Sequence, residues 1–82
     1  MGENKFVQVA HIVEPLGWVH IDYQPENCLT SFWKNGIRIN VWIGRKGTTI
    51  GVQRKQNGQT VHKFFYHVGK DKLKEIFSTT KN

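Results

Sequence analysis

Residues 36–55 constrain the fold more than any other stretch of the chain. Ile37, Ile39, Val41 and Ile43 alternate with Arg38, Asn40 and Trp42. Side chains of a strand point to opposite faces with period two, so this run reads as a strand with one apolar side that needs a core. Ile50 and Val52 repeat the pattern against Thr49, Gly51 and Gln53, and the glycine-bracketed Gly44-Arg45-Lys46-Gly47 between the arms reads as a hairpin turn. The second face of that hairpin is left over for binding.

The neighbouring turns extend the sheet in both directions. Asn35-Gly36 is a strong two-residue hairpin signal. It makes Cys28 to Trp33 a short strand, pairing Trp33 with Arg38 and Phe32 with Ile39. Across the Gly44–Gly47 loop, Val41 meets Ile50, Ile39 meets Val52, Asn40 meets Gly51 and Trp42 meets Thr49. The two registers agree in parity, and a one-residue slip would exchange the faces. Gln56-Asn57-Gly58 allows two readings. A three-residue loop sets Phe64 opposite Ile50 and His62 opposite Val52, with Val61, Lys63 and Phe65 on the open face. A two-residue Asn57-Gly58 turn sends His62, Phe64 and Tyr66 there instead. The first is preferred, because the second sets Lys63 opposite Val52, where burial is costly.

Residues 5–13 and 18–23 are rich in β-branched and aromatic side chains, and Glu14-Pro15-Leu16-Gly17 separates them with turn chemistry, so they read as a β-hairpin. Gln24-Pro25-Glu26-Asn27 breaks that hairpin. Beyond Gly69, Leu73, Ile76 and Phe77 fall at i, i+3 and i+4, the signature of a short amphipathic helix that persists only when docked; Ser78 to Asn82 is expected to fray. The expected fold class is therefore α+β. It is an antiparallel meander of four strands (about 28–33, 37–43, 48–55 and 60–68), preceded by a β-hairpin and followed by one C-terminal helix packed on one sheet face. No internal repeat or heptad is present.

With 82 residues the chain reads as one domain, 1–82, and a chain this short buries only about 60 to 65% of its unfolded surface, so marginal stability is expected. Hydrophobic residues make up 38%, too many for a disordered chain, and no apolar run approaches the ~20 residues of a membrane span. Cys28 has no internal partner, which suits a reducing, intracellular compartment: cytoplasm, nucleus or nucleoid. The N-terminus lacks a leader pattern, and Phe6 occupies the position where a myristoylation signal carries Ser or Thr. Charge divides the chain: residues 1–33 hold one lysine against four carboxylates, net −3, whereas residues 34–82 hold eleven Lys and Arg against two, net +9. The basic part coincides with the hairpins, which favours an anionic partner there. Solubility alone is the competing explanation.

The open face collects Trp33, Arg38, Asn40, Trp42, Gln53 and Lys63, with Arg54, Arg45 and Lys46 supplying further charge and Gly51 a place where another backbone approaches closely. Bases stack on rings, Arg and Lys neutralise phosphates, and Asn and Gln read base edges. The expectation is a non-catalytic nucleic-acid-binding module for DNA or RNA, without cofactor or metal. The alternative is a protein-interaction module, an inhibitor or adaptor, docking through the aromatic patch. In that case a partner, a second copy or the N-terminal hairpin covers the rings as ordinary core.

Gly44–Gly47 lacks the Lys-Ser/Thr end and following helix of a nucleotide-binding loop. His11, His20 and Asp22 meet only if the N-terminal hairpin has one particular register, so structural roles are expected for the histidines. Nothing marks a basic partner for Cys28 as a nucleophile. In element order alone the chain is similar to the DNA-binding domains of plant ethylene-response factors, the arm-binding domains of integrases and the Whirly-type single-strand binders. That resemblance carries over no residue and implies only binding through a sheet.

Overall fold

A computed structural model of the chain describes residues 4–81. The expectations resting on Met1, Gly2, Glu3 and Asn82, the N-terminal signals and the last residue of the tail, lie outside the described residues.

The architecture is a five-stranded antiparallel meander with one helix before it and one after. In chain order the elements are α1 (Lys5–Val13), β1 (Val19–Gln24), β2 (Leu29–Lys34), β3 (Ile37–Gly44), β4 (Gly47–Gln56), β5 (Gln59–Phe65) and α2 (Lys70–Thr79). Sheet order equals chain order, β1 to β5, so every connection is between neighbours and β1 and β5 are the two edges.

The first arm of the expected N-terminal hairpin is a helix. Phe6, Val9, Ala10 and Val13 recur at helical spacing, and the Asn4 side chain accepts a hydrogen bond from the Val7 backbone N–H at 2.9 Å, capping the first turn. Val9 and Val13 are buried while Val7 faces solvent, so the cap and the period prevail over the β-branched composition. Glu14-Pro15-Leu16-Gly17 then stops the helix rather than joining two strands. It forms a 3₁₀ turn, Gly17 takes φ 97, and the Gly17 and Trp18 N–H groups return to the Glu14 and Val13 carbonyls. The second arm becomes β1, which pairs with β2 across a 3₁₀ turn at Pro25–Asn27 closed by Cys28 in the left-handed region. The break expected at residues 24–27 is thus a tight connection inside one sheet.

The β2–β3 and β3–β4 registers are those the alternation demands, including Trp33 with Arg38, Val41 with Ile50 and Asn40 with Gly51. The β4–β5 register is the two-residue one: Lys63 pairs with Val52, Phe65 with Ile50 and Phe64 with Gly51. Asn57 and Gly58 both have positive φ, 54 and 79, as do Asn35 and Gly36 at the preceding turn, the geometry that two-residue hairpin turns select. The three-residue loop is therefore corrected, and Val61, Lys63 and Phe65 move to the helix side. Lys63 escapes burial there because β5 is an edge strand. It stays exposed with its ammonium 5.2 Å from the Phe65 ring centre.

Both helices cover the same face of the sheet. Val9 and Val13 of α1 and Leu73, Ile76 and Phe77 of α2 form one buried cluster with Phe32, Ile37, Ile39, Val41, Ile50 and Val52. Trp18 sits at the join, edge-on to Phe77 at 5.1 Å, with its indole N–H donating to the Phe77 carbonyl at 3.0 Å. The C-terminal segment is held more firmly than expected. Thr80 Oγ1 donates to the Ile76 carbonyl, and Arg54 Nη1 donates to the Lys81 carbonyl at 2.9 Å. Among the described residues no helix is long and apolar enough to cross a membrane.

Candidate nucleic-acid interface

Neither helix covers the second face of the sheet, and its residues follow from the registers. Trp33, Arg38, Asn40, Trp42 and Gln53 lie on it as expected, and Arg45 and Lys46 form the turn between β3 and β4. Lys63 does not belong to it, and Arg54 meets it only at its border, where it lines a cleft with Trp33, Arg38 and Lys55. Arg54 shares parity with Ile50 and Val52, Lys63 faces Val52, and both line a cleft beside α2 with Lys72 and Lys81.

The β5 register brings His62, Phe64 and Tyr66 onto the open face in place of Lys63. Their rings form a row along the edge strand: His62 and Phe64 are 6.1 Å apart and nearly parallel, and Phe64 and Tyr66 are 6.3 Å apart. Trp42 joins it from β3, 6.4 Å from Phe64. Phe64 is 47% and Tyr66 67% exposed. Gly51 lies beneath the row. A Cβ there would sit 3.0 Å from both the Phe64 and the Trp42 rings, so the glycine makes room for two side chains from flanking strands and not for an approaching backbone.

The β1 side of the face is polar and internally paired. A β-bulge at Ile21 separates His20 from Asp22, and the extra residue sends their side chains to opposite faces. Asp22 joins the open face, where its Oδ2 accepts from Gln24 Nε2 at 2.8 Å and lies 3.4 Å from Arg38 Nη2. Arg38 Nε donates to Asn40 Oδ1 at 2.9 Å, and Ser31 Oγ donates to the same oxygen at 2.7 Å. Arg38 is thus tethered and partly neutralised. Arg45, Lys46 and Lys55 are exposed at the two ends of β4.

The same bulge separates the conceivable metal ligands. His20 turns to the helix side and shares a 2.8 Å hydrogen bond with Thr30 Oγ1. His11, on α1, lines a cleft with it, while Asp22 is across the sheet. Among the described residues no three His, Cys, Asp or Glu side chains gather in a group suited to a metal ion.

Two clefts bracket the ring row. One is lined by Trp33, Arg38, Gln53, Arg54, Lys55 and Thr60, the other by Arg45, Lys46, Thr49, Tyr66 and His67. Sequence reasoning missed His62, Phe64, Tyr66 and Lys55 as site residues. The signal for the first three was Asn57-Gly58, the same dipeptide class as the Asn35-Gly36 turn.

No protein-family model, curated protein or solved structure matches the chain.

Proposed function

We propose that the chain is a non-catalytic nucleic-acid-binding module that uses the open sheet face and the basic β3–β4 turn. The observation that carries this reading is the row of exposed rings, with Trp42 and Trp33 beside it, bracketed by Lys55 at one end and Arg45 and Lys46 at the other. Each ring offers a stacking surface to a base, the cations neutralise phosphates, and the amide of Gln53 supplies hydrogen-bonding groups for base edges. The net charge of +6 adds long-range attraction. An intracellular address belongs to the same proposal, supported by the single exposed thiol of Cys28.

A protein partner is the second reading, favoured by the apolar corner where Val19, 60% exposed, stands opposite Trp33. Fluorescence anisotropy with labelled DNA and RNA at two salt concentrations separates the two. Nucleic-acid binding predicts an affinity that falls steeply between about 50 and 200 mM salt. Self-association without salt-dependent nucleic-acid binding would overturn the proposal in favour of the protein-interaction reading.

A further inference from the structure

We infer that the nucleic acid bound is single-stranded, with unstacked bases laid one per ring along β5; the inference rests on the nucleic-acid reading of the same face. Its first support is width. Five strands at roughly 4.8 Å spacing span about 19 Å, wider than a major groove of about 12 Å, which admits a helix or a two-stranded ribbon. The full width of this sheet enters a duplex groove only if the duplex is deformed, at an energetic cost that a single strand does not carry.

Spacing is the second support. The rings of His62, Phe64 and Tyr66 repeat at 6.1 and 6.3 Å, nearly twice the ~3.4 Å between successive stacked nucleotides of a duplex strand. Consecutive bases reach consecutive rings only when they are pulled apart, a state open to a single strand and closed to a paired one.

The third support is chemistry. The central polar groups that would read a duplex groove are already engaged, Arg38 and Asn40 with Asp22 and Ser31, and the Asp22 carboxylate repels a phosphate ridge crossing β1 to β3. The ring row runs along the opposite edge strand, clear of that carboxylate, with a cation-bearing cleft at each end. From Thr60 to Tyr66 the path is about 20 Å at ~3.3 Å per residue. Three rings and a flanking phosphate at either end define a footprint of about three to five nucleotides.

The test is a competition series on the full chain at fixed low salt, with single-stranded homopyrimidine DNA, the matching RNA and duplex DNA, each of about twelve nucleotides, and shorter single strands. The expected result is at least about ten-fold tighter binding of one or both single strands than of duplex, levelling off at about four to five nucleotides. Phe64→Leu keeps an apolar cover over Gly51 while removing the stacking surface, and Tyr66→Ala removes a ring that is 67% exposed. Each is expected to lower single-strand affinity by about five-fold to more than a hundred-fold, with duplex binding little changed. Duplex binding as tight as single-strand binding, or ring variants that bind single strands like the wild type, would overturn the inference and leave the nucleic-acid reading standing. Failure to bind any of the three nucleic acids overturns that reading, and the inference with it.

Discussion

Gly51 and Asp22 show how single positions shape the open face. Gly51→Val is expected to lift the Phe64 and Trp42 rings, because even a Cβ meets both at 3.0 Å. Overpacking of this kind costs about 1 to 3 kcal/mol, so a lower Tm should accompany a red shift of Trp42 fluorescence; unchanged values would mean that the rings do not lie over the glycine. Asp22→Asn removes an ion pair whose side chains are about one-third exposed, worth less than about 1 kcal/mol, and frees Arg38, so it should leave the Tm nearly unchanged and strengthen nucleic-acid binding. An affinity equal to the wild type would argue that Arg38 takes no part. Of the face itself, Trp33, Arg38, Asn40, Trp42 and Gln53 were legible in the sequence, since alternation fixes their parity once Asn35-Gly36 sets the register. The tether on Arg38 was not legible, because it depends on a bulge at Ile21 that one extra residue creates without any local signature.

The strands from β2 to β4 and α2 were legible because their hydrophobic period and turn residues point to the same answer. Two elements were misread for physical reasons. α1 carries β-branched residues that favour a strand, yet Asn4 caps its first turn and Phe6, Val9, Ala10 and Val13 form one helical stripe. In β5 the cost of burying Lys63 argues for the longer turn, but that cost vanishes on an edge strand. Gly58→Ala, at φ 79 in the β4–β5 turn, is expected to cost about 1 kcal/mol or somewhat more, measured by urea unfolding. A neutral result would contradict the two-residue turn. Phe77→Ala removes the α2 ring that meets both Trp18 and Phe32 and should cost about 3 to 5 kcal/mol, enough to unfold a chain this small at moderate temperature. Wild-type melting would contradict the docking of α2 on the sheet.

At the scale of the whole molecule, one side of the sheet is closed by two helices and the other is left open, and the basic residues gather around the open side's β3–β5 half and along α2. Arg45→Ala with Lys46→Ala should lower the slope of log affinity against log salt by about 1.4 to 1.8, at roughly 0.7 to 0.9 per phosphate contact, with little change in base preference. The three tryptophans provide the most direct test of the open face as the binding surface. The Trp18 indole N–H is buried and bonded to the Phe77 carbonyl, whereas Trp33 and Trp42 lie on the uncovered face. Titrating the isotope-labelled protein with nucleic acid and following the three indole N–H resonances by NMR should shift the Trp33 and Trp42 signals and leave Trp18 in place. Binding that moves Trp18 while Trp33 and Trp42 stay fixed, or that moves none of the three, would contradict the account.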